Sequence, residues 1–524
     1  MKTRTLSRLA LAVLIVVILM SVFGIFIDLP DNTGRTPSQV ISDGADTQLG
    51  RMFGDKLAAH PGLNGVTLLA EGRDAFVGRA LLARLAERSI DTQYYMWHQD
   101  TVGRLLIKEL VSAADRGVRV RLLIDDMYGS DGQDTWLAID AHPKIEVRLF
   151  NPYTRSQPKY LQFVTRFKDV NYRMHSKTFT VDNQATIVGG RNIGDEYFDA
   201  DPDLAFADMD ALAIGPAVPQ VSTEFDEYWN SEYAYPVTTL LPAGSDADLQ
   251  ALRDQSDAFF SESRTTSYLQ AVKNSKLANE LRAGTAEFHF GLGKIIHDSS
   301  EKKAHDENWQ EELLISQLAP YITGSTEEVI MVSPYFVPGQ QATDALCKLA
   351  QNAVRVRILT NSLASNDVAA VHAGYTKYRN PLLRCGVELY ELNEELKNEQ
   401  RKAFSWLPGL SKSSLHAKTM VFDKKRMFVG SFNFDQRSLH INNEIGLVFE
   451  QINLAGPAAG KFDRGINRIA FKVELLTDSS GKESLRWRGM QNGQEVVLDA
   501  EPYVGFGSKA AVWFIGFLPV ESLL

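Results

Sequence analysis

A histidine–lysine pattern occurs twice in the chain with one internal spacing, and this duplication constrains the fold more than any other feature. Counted from the histidine, both copies carry a lysine at +2, an aspartate at +7, a glycine at +14 and an asparagine at +17. The two copies are His175, Lys177, Asp182, Gly189 and Asn192, then His416, Lys418, Asp423, Gly430 and Asn433. A chain made of two related halves, each with one copy, explains this best.

Each copy is typical of a β-hairpin. Alternate residues of a strand share a face, so the imidazole and the ammonium at +2 point the same way, roughly 7 Å apart along the chain. Asp182 and Asp423 stand among turn-forming residues, Asn183 and Lys424-Lys425. We therefore expect each aspartate to close the hairpin turn and brace the site, and each asparagine to return on the second strand.

Two histidines, two lysines and two asparagines that meet at one point suit a phosphate diester. One imidazole can act as nucleophile and the other as acid and base, while ammonium and amide groups bind the phosphate oxygens. Divalent ions do that work in metal-dependent phosphoryl enzymes, so we predict no metal and no cofactor here. The alternative is that these are strand residues with incidental polarity.

The double pattern resembles the HxKxxxxD motif of the phospholipase D superfamily, over roughly residues 60 to 524. Asp435-Gln436-Arg437-Ser438 and Asn443-Glu444 resemble the bacterial cardiolipin synthases. Five further stretches resemble the C-type class of these synthases: Thr92-Gln93-Tyr94-Tyr95, Gly189-Gly190-Arg191-Asn192, Thr360-Asn361-Ser362-Leu363, Val371-His372-Ala373-Gly374-Tyr375 and Leu518-Pro519-Val520-Glu521. One departure is His440, either an extra titrating group near the second motif or a surface residue.

The resemblance implies a fold and roles for several residues. It implies two tandem phospholipase D-type α/β halves packed about a pseudo-twofold axis, with both motifs at the interface. It places the covalent residue in the first half, so His175 is the predicted nucleophile and His416 the acid and base. Asp208 and Glu444, which lie 33 and 28 residues after these histidines, would each hold an imidazole. For Asp208 a salt bridge within the core stays an alternative.

The resemblance also implies a membrane phosphatidyltransferase that makes cardiolipin through a phosphohistidine. One substrate would be phosphatidylglycerol, and the second phosphatidylglycerol or, as the C-type class implies, phosphatidylethanolamine. A hydrolase of the same superfamily, acting on phospholipid or as an exported nuclease, is the alternative. The net charge of −10 argues against nucleic acid as a partner. Nothing in the sequence identifies a helper protein.

The N-terminus predicts a membrane anchor. Lys2, Arg4 and Arg8 precede an uncharged run over residues 9–27 that is apolar apart from Ser21, close to the roughly 20 residues that cross a bilayer. Bases before the run and acids after it favour a cytoplasmic N-terminus, and so a catalytic part on the periplasmic face of a bacterial inner membrane. A cleaved signal peptide is the alternative.

The remaining chain divides around the two motifs, with strands and helices alternating as in a mixed α/β sheet. The C-terminal run 510–520 suits either a bilayer interface or a core. Two cysteines are too few for a disulfide framework, so we expect buried thiols.

The predicted divisions are an anchor (1–30), a tether (31–56), a first half (57–244), a helical connector (245–325), a second half (326–452) and a C-terminal β appendage with an apolar tail (453–524).

Two segments just before the motifs mix bases with aromatic residues. We expect them to attract anionic headgroups at the mouth of the site; solvated loops are the alternative. The first holds Arg155, Lys159, Arg166, Lys168 and Arg173 among Tyr160, Leu161, Phe163 and Phe167. The second holds Lys397, Arg401, Lys402 and Lys412 among Phe404, Trp406, Leu407 and Leu410.

Overall fold

The structure is a computed structural model that describes residues 28–201, 206–283, 285–302, 313–366, 368–394, 415–491, 493–516 and 521. Apolar strands that alternate with amphipathic helices give a mixed sheet in each half, as the sequence predicts. In the first half three adjacent strands run parallel and the strands on either side of them run antiparallel. In spatial order the strands are β8 (Ala234–Pro236), β4 (Ile145–Phe150), β3 (Arg119–Asp125), β2 (Ser89–Tyr94), β5 (Thr178–Val181), β6 (Ala185–Gly189), β7 (Asp210–Ile214) and β1 (Asn64–Leu69).

The second half repeats this arrangement. Its β10, β11 and β12 are parallel, like β2, β3 and β4, and the hairpin with the second motif pairs beside β10 as the first pairs beside β2. In spatial order the strands are β15 (Ile445–Glu450), β14 (Arg426–Gly430), β13 (Thr419–Phe422), β10 (Glu328–Val332), β11 (Arg355–Thr360), β12 (Glu388–Leu392), β16 (Ala470–Thr477), β17 (Glu483–Gln491) and β18 (Gln494–Leu498).

Helices cover the outer faces of the two sheets, and the inner faces meet in a shared core to which the helices Ala217–Asn230 and Ile452–Ile469 also contribute. Val188 and Ala211 of the first half share a core with Val429 and Leu447 of the second. The first-half helices are α1 (Gln48–Ala58), α2 (Gly72–Leu85), α3 (Thr101–Asp115), α4 (Gln133–Asp140), α5 (Lys159–Thr165), α6 (Phe167–Val170), α7 (Ala217–Asn230) and α8 (Val237–Leu240). The later helices are α9 (Asp246–Phe260), α10 (Ser263–Lys273), α11 (Lys276–Ala283), α12 (Leu314–Thr323), α13 (Gly339–Gln351), α14 (Ala369–Arg384), α15 (Gln436–His440), α16 (Ile452–Ile469) and α17 (Phe506–Ile515).

The connector is more than helical, because it also contributes a strand that both sheets share. Strand β9 (His289–His297) pairs with β1 through its first residues and with β15 through the rest. Its helices are α9, α10 and α11. Backbone pairing across one strand therefore fixes the position of one half against the other.

The structure differs from the predicted divisions at both ends. Residues 31–47 do not hang as a tether: Asn32 donates to the carbonyls of Glu232 and Ala234, and Arg121 donates to that of Ser38. The C-terminal strands are not a separate appendage either, because β16 pairs with β12 and extends the second sheet. Unpaired edge groups on β12 give the physical reason, since an added strand satisfies them.

The two cysteines were wrongly expected to be free thiols. Cys347 on α13 and Cys385 after α14 form a disulfide, with their Cα atoms 5.3 Å apart. Spacing along the chain could not reveal this, because the two residues become neighbours only when α13 packs against α14.

In the part of the chain that the structure describes, no helix is long and apolar enough to cross a bilayer. Residues 1–27, with the predicted anchor run, and the second basic–aromatic segment lie outside that part.

Candidate active site

The two motifs meet at the interface, where each histidine is attached to the opposite half. The backbone N–H of His175 donates to the carbonyl of Asn443 at 2.8 Å, and that of His416 donates to the carbonyl of Ala207 at 2.8 Å. Parallel bridges Met174–Asn443 and Ala207–Leu415 flank these bonds. The chain segment before each motif is therefore held in place by backbone of the other half.

Each carboxylate predicted to hold an imidazole does so across the interface. Glu444 Oε2 lies 2.9 Å from His175 Nδ1, and Asp208 Oδ2 lies 2.5 Å from His416 Nδ1. Asp208 thus contacts an imidazole, the first of its two predicted alternatives. This exchange follows from the parallel bridges. Glu444 directly follows Asn443, and Asp208 directly follows Ala207, the two residues whose carbonyls accept the backbone N–H groups of the opposite histidines. Both histidines then carry their proton on Nδ1, which leaves Nε2 as the free nitrogen.

Glu444 is fully buried and is held by three groups besides the histidine. The Ser431 and Ser438 hydroxyls donate to its carboxylate, and its own backbone N–H donates to Asp298 at 3.0 Å. Burial raises the Glu444 pKa, while Lys177 and the two hydroxyls oppose that shift. These donors stabilise the ionised form, which is the form that accepts the Nδ1 proton of His175.

Asp208 reaches His416 because the residue beside it has no side chain. A Cβ on Gly190 would lie 2.3 Å from Asp208 Oδ1, closer than any real contact. The glycine that follows the +14 position of the first motif is therefore required by close approach rather than by a turn. Burial would raise the Asp208 pKa, but His416 and Lys418 outweigh it and the pKa is lowered. Asp208 is an ionised partner for its histidine.

Both lysines are almost fully buried beside the imidazoles. Lys177 Nζ donates to the carbonyl of His175 at 2.5 Å, and Lys418 Nζ lies 3.3 Å from His416 Nε2. Burial lowers the Lys177 pKa well below its ordinary value, with Lys418 acting in the same direction. A phosphate bound beside both lysines would oppose these effects and favour their ammonium forms.

The histidines are electrostatically coupled to the whole cluster. Burial, then Lys177, Lys418 and His416, lower the His175 pKa well below 6.5. Burial and Lys418 lower the His416 pKa as well, while Asp208 opposes the shift. Neutral imidazoles with a free Nε2 result, and a bound anion would offset the surrounding positive charge.

The motif asparagines bring amide groups to the same place. Asn192 Nδ2 donates to the Tyr197 hydroxyl at 3.1 Å, and the Tyr197 ring packs edge-on against His416 at 5.2 Å. Among the described residues, the Oδ1 atoms of Asn192 and Asn433 are buried and accept no hydrogen bond. Rotation of either amide puts an NH₂ group in that position instead, a donor for an anion.

The motif aspartates close the hairpin turns but do not touch the imidazoles. Asp182 and Asp423 have φ of 52° and 51°, as the turn prediction requires. The Asp182 carboxylate accepts the N–H groups of residues 87–89, and Asp423 accepts those of residues 326–328. They brace the starts of β2 and β10, at the end of the sheet away from the histidines. Their support of the site is therefore indirect.

Several supporting residues were missed by the sequence analysis. Asp125 Oδ2 accepts the N–H of Met174 at 2.8 Å, and Asn361 Oδ1 accepts the N–H of Leu415 at 3.0 Å. The signal was present, because Asp125 is the last residue of β3 and Asn361 directly follows β11, the equivalent strand. Aromatic rings also flank the imidazoles. The Tyr95 ring centroid lies 5.1 Å from that of His175, and the Phe206 ring stacks on His416 with the centroids 5.6 Å apart.

His440 is exposed at the end of α15, so it is the surface residue of its two predicted alternatives.

Within the described residues, no group of three or more His, Cys, Asp and Glu side chains is arranged to hold a metal ion. The arrangement offers instead two nucleophilic nitrogens, each backed by a carboxylate, and buried cations and amides around them. Such a set can bind a phosphate diester and exchange one of its ester oxygens.

Comparisons with known proteins show the family to which the chain belongs. The sequence profile described as “Cardiolipin synthase, PLD-like domain” matches the chain twice, at residues 81–229 and 318–466. The chain is 39% identical over 467 residues to “Cardiolipin synthase C” of Escherichia coli (strain K12), which covers 89% of this chain and 97% of that protein. It is 24% identical over 416 residues to “Cardiolipin synthase” of Oceanobacillus iheyensis, covering 79% and 71% of the two chains.

A solved structure shares the fold. The crystal structure of phosphatidylserine synthase from Haemophilus influenzae Rd KW20 superposes with a TM-score of 0.52 at 12% identity. The match covers 81% of this chain and 91% of that one. The fold is therefore shared at low sequence identity.

Proposed function

We propose a reaction for this chain from the premise that it belongs to the phospholipase D-superfamily cardiolipin synthases, of the C type. The chain transfers a phosphatidyl group from one phospholipid to the alcohol of a second and so makes cardiolipin. The observation that carries the mechanism is the exchanged pairing of His175 with Glu444 and of His416 with Asp208. It leaves two Nε2 atoms free in one cluster with two lysines.

In the first step His175 Nε2 attacks the phosphorus of the donor lipid. A P–N bond forms, and the bond from phosphorus to the headgroup oxygen breaks. His416, protonated while the negative phosphate is bound, gives its Nε2 proton to the leaving oxygen and becomes neutral. Glu444 stabilises the charge that develops on His175, as carboxylates do for histidines in other acid–base sites.

In the second step a hydroxyl of the acceptor lipid takes the place of the departed headgroup. His416 Nε2 removes the hydroxyl proton, the oxygen attacks phosphorus, and the P–N bond to His175 breaks. The new ester is cardiolipin, and both histidines return to their starting states. Water in place of the acceptor would instead release phosphatidic acid, so the site must hold the second lipid to favour transfer.

The lysines and asparagines stabilise the phosphate throughout. Lys177 and Lys418 are buried, so their charges act on phosphate oxygens with little screening by water. The amides of Asn192 and Asn433 supply donors for the same oxygens. This positive field takes the part that divalent ions have in metal-dependent phosphoryl transfer.

Phosphatidylglycerol is the acceptor in this scheme, because cardiolipin keeps its glycerol between two phosphates. The donor is phosphatidylglycerol, which releases glycerol, or phosphatidylethanolamine, which releases ethanolamine. The resemblance to the C-type class favours the second.

We further propose that residues 9–27 anchor the chain in the bacterial inner membrane with the catalytic part on the periplasmic side. The disulfide Cys347–Cys385 supports that side, since disulfides persist in oxidising compartments.

Incubation of purified full-length protein with phosphatidylglycerol, with and without phosphatidylethanolamine, tests the proposal through the identity of the products. We expect cardiolipin in both mixtures, and ethanolamine release when phosphatidylethanolamine is the donor. Phosphatidic acid without cardiolipin would identify a hydrolase instead. Headgroup-labelled lipids separate the two donor schemes, because only the donor loses its headgroup.

A further inference from the structure

Four large apolar side chains are exposed together on the short helices α5 and α6. They are Tyr160, Phe163, Val164 and Phe167, with exposed fractions of 71%, 36%, 45% and 39%. Tyr160, Phe163 and Val164 have the spacing of one helical face on α5, and Phe167 is the first residue of α6, which the non-helical Arg166 separates from α5. Single exposed apolar residues are ordinary, but a cluster of this kind marks an interaction surface. We call these four residues the α5–α6 patch.

The α5–α6 patch is connected directly to the candidate active site. The Phe163 ring packs against Tyr153, with the centroids 6.0 Å apart. The backbone N–H of Tyr153 donates to Asp126 at 2.7 Å, and the neighbouring Asp125 holds the backbone just before His175. The patch therefore lies on the side of the first half where the nucleophile is held.

The same side receives the chain from its predicted anchor. Asn32, which follows the apolar run 9–27 by a few residues, donates to the carbonyls of Glu232 and Ala234 at 3.1 Å. Asn151 is linked to this segment by its N–H bond to the Tyr233 carbonyl, and its side chain donates to the carbonyl of Asp169 on α6. A bilayer that holds the predicted anchor would therefore lie next to α6.

The second half also has a group of exposed apolar side chains, on α17 and just before α14. It consists of Val368, Trp513 and Phe514, exposed by 37%, 68% and 62%. We call it the α17 patch. Val512 on the buried side of α17 packs with Leu363, two residues after Asn361, which holds the backbone before His416. Each motif therefore has an exposed apolar patch within a few contacts of it.

The bases of the first basic–aromatic segment do not all face solvent as expected. Arg155 pairs with Asp126 at 2.6 Å and Arg173 with Asp125 at 3.1 Å, so both are part of the protein's own ion pairs. Lys168 is exposed beside Phe167. Its position at the border of an apolar patch suits an anionic headgroup, with the rings below the headgroup level.

We propose that the α5–α6 and α17 patches insert into the surface of a bilayer that contains anionic phospholipid, and hold the mouth of the shared site against it. Both lipids then reach the histidines without leaving the membrane. This inference rests on the proposed function in one respect, that the substrates are phospholipids. It assigns a membrane-bound orientation in which both halves contact the bilayer.

Depth measurements on the full chain in bilayers of phosphatidylglycerol and phosphatidylethanolamine test the orientation. The only two cysteines of the chain are joined to each other, so one introduced cysteine accepts a nitroxide label cleanly. We expect labels in Phe163→Cys and Phe514→Cys to be exposed to oxygen dissolved in the bilayer and shielded from a water-soluble relaxant. A label in Ile452→Cys, at a site 60% exposed on α16, should behave oppositely. Labels at 163 and 514 in water would overturn the proposal.

Activity measurements separate this inference from the proposed function. The variant Phe163→Ser/Phe167→Ser should lose about tenfold of its activity on bilayer lipid, since less apolar area is left to insert, and keep its activity on dispersed short-chain lipid. The matched control Leu292→Ser, at a site 62% exposed on β9, should keep both activities. Equal activity of the two variants on bilayers would contradict the inference and leave the proposed function intact. A wild-type protein that makes no cardiolipin from either lipid form would refute the function itself.

Discussion

Glu444 of the second half holds His175 of the first, with Oε2 2.9 Å from Nδ1, while Asp208 makes the reciprocal bond to His416. Neither half contains a complete histidine–carboxylate pair, so neither half on its own is a complete site. The same strand connections that bring the halves together also supply the carboxylates. Assembly of the two sheets and assembly of the site are therefore one structural event.

The variant Glu444→Gln should retain the fold and lose activity about a hundredfold to ten-thousandfold, because an amide in place of the carboxylate does not stabilise a charged His175. The loss should appear in kcat rather than in KM, since Glu444 contacts the histidine and not the lipid. Steady-state kinetics on short-chain phosphatidylglycerol measure it. Glu450→Gln, which changes an exposed carboxylate at the far end of the strand that begins directly after Glu444, serves as control. Comparable activity in the two variants would remove Glu444 from the mechanism.

His416→Ala should accumulate a phosphatidyl-enzyme on His175, because breakdown of the intermediate needs the base at residue 416. Radiolabelled lipid detects this intermediate, and treatment with acid shows whether its bond to the protein is acid-labile or acid-resistant. Accumulation in His175→Ala, with none in His416→Ala, would reverse the two roles.

The exchange of carboxylates makes a sharper prediction in the same background. Adding Glu444→Gln to His416→Ala should slow formation of the phosphatidyl-enzyme, because Glu444 is the partner of the nucleophile. Adding Asp208→Asn should have little effect, because its partner histidine is already absent. Rapid-quench measurement of the labelled enzyme compares the two double variants. The opposite ranking would mean that each carboxylate serves its own half.

Chelation of divalent ions should leave the activity unchanged, because the buried ammonium groups of Lys177 and Lys418 supply the positive field at the phosphate. Assays in excess EDTA, with lipid dispersions checked for unchanged particle size, provide the measurement. A strict requirement for an added divalent ion would overturn the mechanism.

Glu224 gives a pH dependence with a definite sign. It is fully buried beside the first motif strand, where Gln93 donates to it at 2.6 Å, and burial raises its pKa to about 8. A carboxyl with a raised pKa in the folded state stabilises the fold at low pH and loses that contribution as pH rises from about 4.5 to about 8. The free energy of unfolding of the wild-type protein should therefore fall by about 3–5 kcal/mol relative to that of Glu224→Gln over this pH interval. Denaturant unfolding at a series of pH values measures the difference, and parallel curves would contradict the assignment.

The duplication of His175 and His416 with their lysines and asparagines was visible in the sequence because chemistry fixes both residue types and spacing within one hairpin. The strands and helices around them were predictable for the same local reason, since apolar periodicity is set within a few residues. The turn role of Asp182 and Asp423 also followed from their immediate neighbours.

What only the tertiary structure decided were relationships between residues far apart in the chain. The pairing of His175 with Glu444 instead of Asp208 depends on how two sheets face each other, and no spacing within either half contains that information. The bond between Cys347 and Cys385, the strand β9 shared by both sheets and the bracing of the motifs by Asp125 and Asn361 are of the same kind. The sequence determined which groups do chemistry, because side-chain types are local; packing determined which of them meet, because contact depends on the whole fold.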